Sequence, residues 1–241
     1  MSANRTSSTG RRPVALLLIL LVAASAAGAS GCDRWYYGTM KKFGMEKRDI
    51  LVKRVREARK SQEDAKEEFK TALERFRTVI EVDGGALEQK YETLDKQLRR
   101  AEQRATEVEE RIKSIRDVSD DLLREWDREL KQYADRTLRA ESARELDQTR
   151  KRCEALIRSM EKAQRKIDPV MSPLRDRVLF LKHNLNAQAI GALDAELLKV
   201  RTNVDALVAD LEASIAEAEA FLQAMDTARS HFGTVSADIL A

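Results

Sequence analysis

The chain has 241 residues, of which 35% are charged and only 5% aromatic, with 9 Gly and 3 Pro. So many charges and so few breakers exclude a thick globular core and suit long helices with exposed faces. The formal charge of +3 rests on Arg5, Arg11 and Arg12; from Cys32 onward basic and acidic residues balance at 41 each, so net charge gives no argument for nucleic-acid binding.

Residues 1–31 read as an export signal. The three arginines precede an apolar run from Val14 to Val22, and small residues then lead from Ala23 to Gly31. Positive start, apolar middle and small-residue exit are its three parts. The apolar run is too short for a membrane span of about 20 residues. Ala29-Ser30-Gly31-Cys32 resembles a bacterial lipobox, although Ala29 stands where leucine is usual. The resemblance implies that Cys32 becomes the lipid-carrying N-terminus. The other reading is cleavage after Ala27 to Ala29, which gives a soluble exported chain. Asp33 leans the address towards the inner membrane, with the outer membrane as the alternative.

Residues 32–48 read as an anchor and juxtamembrane segment. Trp35, Tyr36, Tyr37 and Phe43 lie among Lys41, Lys42, Lys47 and Arg48. Trp and Tyr favour the headgroup layer, and lysines meet anionic lipid there. The same aromatics could instead cap the end of a helical bundle.

A helix is expected over about 49–82, with the seam Leu51, Val55, Ala58, Gln62, Ala65, Phe69, Ala72, Phe76 and Val79. Asp83-Gly84-Gly85 ends it, and so short a loop demands an antiparallel neighbour. The next helix, 86–133, is the most regular stretch in the chain. Its seam is Leu87, Tyr91, Leu94, Leu98, Ala101, Ala105, Val108, Ile112, Ile115, Ser119, Leu122 and Trp126. The spacing alternates four and three throughout, the period of a helix packed along its length on others. A tight reversal is read near Tyr133 to Leu138, with Asp135 or Thr137 as the new N-cap and Ser142 with Glu145 as a weaker capping signal; a straight continuation is the alternative.

The third helix, about 138–185, has the seam Leu146, Thr149, Cys153, Leu156, Met160, Ala163 and Ile167. Pro169 and Pro173 then predict a kink, or a fresh start with Ser172 as N-cap and Pro173 at the first position. The apolar phase carries through Met171, Leu174, Val178, Leu181 and Leu185, so the direction continues. The next reversal falls at His183 to Asn186. Asn184 can take the left-handed form, Asn186 serves as N-cap, and Leu185 with Ile190 forms a staple. A fourth helix, 187–226, uses Ile190, Leu193, Leu197, Val200, Val204, Leu207, Leu211, Ile215, Ala218 and Leu222. Residues 227–241 read as a flexible tail. The fold class is all-α: an elongated antiparallel helical bundle of coiled-coil type.

Two stretches carry a family resemblance. Tyr36-Tyr37-Gly38-Thr39-Met40-Lys41-Lys42-Phe43-Gly44 with Lys47-Arg48-Asp49-Ile50-Leu51 is one, and Val178-Leu179-Phe180-Leu181-Lys182-His183-Asn184-Leu185-Asn186-Ala187 is the other. They resemble an uncharacterised family of bacterial coiled-coil lipoproteins, a domain of unknown function, over roughly residues 32–222. The resemblance implies fold and localisation and brings no activity with it.

No residue set nominates catalysis. Cys153 sits on a seam, where a buried thiol behaves as a small hydrophobe. His183 and His231 are the only histidines and lack a second ligand at zinc spacing; His183 is expected to bond a backbone carbonyl at the reversal. Asp120-Asp121 and Glu109-Glu110 point in different directions on one helix, without the convergence that acid–base work needs. Gly84-Gly85 lacks the Lys and Ser/Thr of a phosphate loop. The expectation is a non-enzymatic, membrane-anchored lipoprotein on the periplasmic face of a bacterial membrane. It needs no cofactor, metal, nucleic acid or small-molecule substrate. It acts as a structural or interaction scaffold for an unknown envelope protein or for further copies of itself. The second expectation is a lipid-binding or membrane-shaping helical protein.

Overall fold

The computed structural model describes the backbone of residues 31–81, 86–184 and 187–238, and side chains over 46–79, 86–184 and 197–227. Among these residues there are five helices: α1 (Gly31–Glu81), α2 (Leu87–Leu130), α3 (Arg136–Gln164), α4 (Ile167–His183) and α5 (Ala187–Asp238). The chain divides at Glu46–Lys47 into two units. The second unit is the bundle described next.

Bridges across each helix pair fix the direction of the rods. Lys47 meets Glu125 at 2.8 Å and Arg111 meets Glu57 at 2.9 Å, so α1 and α2 are antiparallel. Arg116 reaches Glu161 and Arg175 reaches Glu102, which sets α3 and α4 in one direction against α2. Lys162 to Asp210 at 2.7 Å, with Asn203 to the Pro169 carbonyl at 3.2 Å, places α5 antiparallel to the α3–α4 rod. Arg59 to Glu219 at 2.7 Å joins the first helix to the last. The result is an up-down-up-down bundle of four rods, α3 and α4 together making one. At about 1.5 Å per residue, the 44 residues of α2 span roughly 66 Å.

The apolar seams meet in one core. Leu51, Val55, Phe69, Leu94, Ile115, Leu156, Met160, Leu181, Leu207 and Leu211 are all essentially inaccessible to water. Burial of each such side chain contributes on the order of 1.5–3 kcal/mol before entropy is set against it. Charge also selects neighbours. Among residues 47–81 there are eleven basic and eight acidic residues; α2 has ten and thirteen; residues 136–183 have thirteen and seven; α5 has three and nine. Rods that touch therefore differ in sign. Each exposed pair is worth only about 0.2–1 kcal/mol, so these bridges act on pairing and register more than on stability.

The seams differ from the sequence expectation in three places. Helix α1 begins at Gly31 rather than near Asp49, because residues 32–48 hold no proline and only Gly38 and Gly44 weaken propagation. Helix α5 runs to Asp238, through most of the stretch read as a tail. Its buried register is Val200, Val204, Leu207, Leu211, Ser214, Ala218, Phe221 and Met225, which keeps the four–three alternation. Ile215 and Leu222 are only half-buried. The polar Ser214 can hold a core position because its hydroxyl donates to Gln62 Oε1 at 2.9 Å across the α1–α5 contact.

The turns follow from caps. Asp135 is the N-cap of α3 and accepts from Thr137 N at 2.7 Å and Leu138 N at 3.1 Å. Asn184 ends α4 at φ −133°, ψ 66°, which is not left-handed; its amide instead donates to Phe180 O at 3.0 Å. The bond expected of His183 is thus made by Asn184. The Asp83-Gly84-Gly85 turn, the Asn186 cap and the Leu185–Ile190 staple lie outside the described residues.

The prolines act as expected in direction but not in place. The helix breaks at Arg165–Lys166, one turn before Pro169, whose ring has no N–H for the Arg165 carbonyl and crowds it. Lys166 N tightens onto Ala163 O at 3.0 Å. Pro173 lies inside α4, so no new helix starts at Ser172. Pro173 cannot donate to Pro169 O, and Asn203 of α5 fills that carbonyl with its Nδ2 at 3.2 Å.

Candidate anchor and interaction surfaces

The residues that the sequence marks for the membrane are Cys32, Trp35, Tyr36, Tyr37, Lys41, Lys42 and Phe43. Their backbone belongs to α1. Their side chains lie outside the described ones. Among the described residues no helix is long and apolar enough to cross a membrane.

The bundle end that follows this segment in the chain is built around Trp126. The indole closes the α2 seam and donates from Nε1 to Ser142 Oγ on α3 at 2.8 Å. The Arg48 guanidinium lies over the ring, 4.3 Å from its centre. Such a contact contributes about 0.5–2 kcal/mol, more when water is excluded. Burial draws the Arg48 pKa below its ordinary value, against the pull of Glu145, Tyr133 and Glu129. Burial and the neighbouring Glu125 raise that of Glu129, offset by Lys47, Arg128 and Arg48. Lys47 is itself paired with Glu125. Two consecutive cations of the Lys47-Arg48-Asp49 motif thus clamp the start of the bundle onto the C-terminal part of α2. Sequence reasoning placed Trp126 in the core but had no signal for its cationic partner, which lies some eighty residues earlier.

An open groove of about 730 Å³ runs between α2 and α3. Arg116, Arg124, Arg150 and Arg158 face it together with Asp120 and Glu154. Opposite charges alternate along both walls, so the groove offers no field of one sign to a charged ligand. Cys153 forms part of its floor but is buried. Burial, then Asp120 and Glu154, push its thiol up to about 12. A thiol held protonated in this way is a poor nucleophile at neutral pH. Among the described residues no three His, Cys, Asp or Glu side chains are grouped as metal ligands. His183 is exposed, and the side chain of His231 lies outside the described ones.

Exposed large apolar side chains are spread over the bundle, with Ile50 on α1 and Leu198 on α5 among them. Tyr133 and Leu138 flank the α2–α3 turn, while Leu179 and Phe180 lie near the end of α4. The latter pair belongs to the second of the two motifs that carry the family resemblance, whose alternate members Val178 and Leu181 are core.

No curated protein matches the chain. A family model, described as protein of unknown function (DUF2959), matches residues 36–225, and both motifs fall within that range. A match over most of the chain, on an all-helical bundle whose core includes residues of both motifs, establishes that the chain belongs to the DUF2959 family.

Proposed function

We propose that this protein is a non-enzymatic lipoprotein of the bacterial cell envelope, held to the periplasmic face of a membrane through Cys32 and acting as a scaffold for an envelope protein or for further copies of itself. The observation that carries this reading is the lipobox-like Ala29-Ser30-Gly31-Cys32 at the exit of an export signal, ahead of a long, charge-balanced bundle. Two or more acyl chains on Cys32 would hold the chain at the bilayer, since one chain alone is marginal. The bundle surface, with opposite charges interleaved, favours specific protein contacts over diffuse attraction to a polyanion.

Mass spectrometry of the protein purified from bacterial membranes, combined with crosslinking in intact cells, tests this reading. A diacylglyceryl Cys32 with recurrent crosslinks along the helices supports it. An unmodified N-terminus upstream of Cys32 with no recurrent partner refutes it. The aromatic and basic segment from Trp35 to Arg48 favours a second reading, in which the protein binds or shapes lipid. Loss of all binding to anionic vesicles by the unlipidated protein would remove that reading.

A further inference from the structure

We infer that the turn between α2 and α3 is a second membrane contact, in which Arg136 and Arg139 engage anionic lipid headgroups while Tyr133 and Leu138 enter the interface. Its location beside the bilayer rests on the proposed anchoring through Cys32.

Four observations converge. First, Lys47 and Arg48 pack on Glu125 and Trp126, so the α2–α3 turn and the start of the bundle share one end. Cys32 and Lys47 are only fifteen positions apart in the chain. Even fully extended, the chain between them spans at most about 50 Å, so this end of the bundle is the one nearest the anchor along the chain. Second, every residue from Lys131 to Glu141 is exposed, including Tyr133 at 42% and Leu138 at 52%. Third, Arg136 and Arg139 make no ion pair among the described residues, whereas Lys47, Arg111, Arg116, Lys162 and Arg175 each bridge to another helix. Fourth, the one acid within the turn, Asp135, is occupied as the N-cap of α3, where its carboxylate accepts two backbone N–H groups. The turn therefore shows two arginines without an ion pair among the described residues, beside Tyr133 and Leu138, each about half exposed, with Tyr133 also close enough to Arg48 of α1 to act on its charge. Aromatic residues with free cations are the composition that suits a headgroup layer over an acidic leaflet.

The experiment uses the full-length protein from bacterial membranes in a Cys153→Ala background. It is reconstituted into vesicles of phosphatidylethanolamine and phosphatidylglycerol, three to one, with a trace of nickel-chelating headgroup lipid. Nitroxide labels are placed singly at Leu138→Cys and, as the far-end control, at Phe180→Cys. The expected result is strong relaxation of the label at 138 by the headgroup nickel and none at 180. Arg136→Gln with Arg139→Gln, or vesicles of phosphatidylcholine alone, should weaken the effect at 138, by about fivefold in apparent lipid affinity for each arginine lost. Equal and weak relaxation at both sites, with the lipid on Cys32 confirmed by mass spectrometry, overturns the inference and leaves the anchor intact. If Cys32 proves unmodified, the anchoring reading fails separately. Sedimentation of the unlipidated protein with the same vesicles then decides: binding lost in the double arginine variant upholds the contact, and no binding by the parent overturns it.

Discussion

Helix α2 and the α3–α4 rod cover the same core from opposite directions, yet they keep their regularity by different means. In α2 no Gly or Pro interrupts the seam, and its one seam serine, Ser119, is satisfied inside its own helix by Arg116 O at 2.9 Å. The α3–α4 rod is broken at Arg165–Lys166 and carries a proline within α4, and the carbonyl this releases is filled by Asn203 from α5. The adjoining α5 seam likewise holds Ser214 only because Gln62 of α1 accepts from it. The backbone of an unbroken helix is closed by local rules, although buried side chains of α2 such as Gln97 and Trp126 still take partners from α1 and α3. An irregular helix is tolerated where a neighbour supplies the missing partner, as the accounting of buried polar groups requires.

The contrast can be broken most strongly by giving α2 a proline. Lys113→Pro, at an exposed site, removes one hydrogen bond where nothing in the described structure is placed to replace it, and should lower stability by about 3 kcal/mol or more. Urea denaturation followed by circular dichroism measures this. A loss below about 1 kcal/mol would show that α2 is as repairable as α4.

A smaller effect is expected from Ser214→Ala, which strands Gln62 Oε1 in a core where Gln62 Nε2 already lacks a partner. The expected cost is about 1–3 kcal/mol. Adding Gln62→Leu should return most of it, because replacing both polar partners removes the unpaired group. If the double variant is no more stable than Ser214→Ala, the polar pair is not what Ser214 contributes.

Cys153 sharpens the comparison through pH. Above pH 9 the unfolded chain loses the thiol proton while the folded chain keeps it. The unfolded state then binds fewer protons, and stability falls as pH rises towards 12; below pH 9 both states keep the proton and the effect vanishes. At pH 10 the difference from a Cys153→Ala variant should narrow by about 1.4 kcal/mol relative to pH 7. Identical pH profiles for the two proteins would mean that water reaches the thiol from the α2–α3 groove.

The finest test is a double-mutant cycle at the proline. Asn203→Ala should cost about 1 kcal/mol in the parent and markedly less after Pro173→Ala, whose restored N–H can donate to Pro169 O. Additive effects would show that Asn203 does not compensate for the proline.

Much of this architecture is legible along the chain. The α2 seam needed only the four–three spacing, and the turn at Asp135 needed only a short acid ahead of a helical run. The Lys47-Arg48 motif was visible as a basic pair, but its role was not, because a cation–π contact joins residues on different helices. The same limit explains Gln97, which is buried and donates to Glu68 on α1, and the choice of Ser214 over Ile215. In each case a polar side chain in the core is acceptable only if a particular partner from another helix is present. The groove between α2 and α3 was equally invisible, since it depends on how closely two helices approach.

The sequence by itself determined the helical class, the alternation of rods and most of the core, because periodicity, breakers and caps act over a few residues. It also carried the two motifs that fall within the family match. Only the tertiary structure decided which polar residues may be buried, which carbonyls are rescued beside the prolines, and which cations are spent within the bundle rather than left at its surface. Those outcomes depend on partners far apart in sequence, whose pairing exists only once the helices have packed.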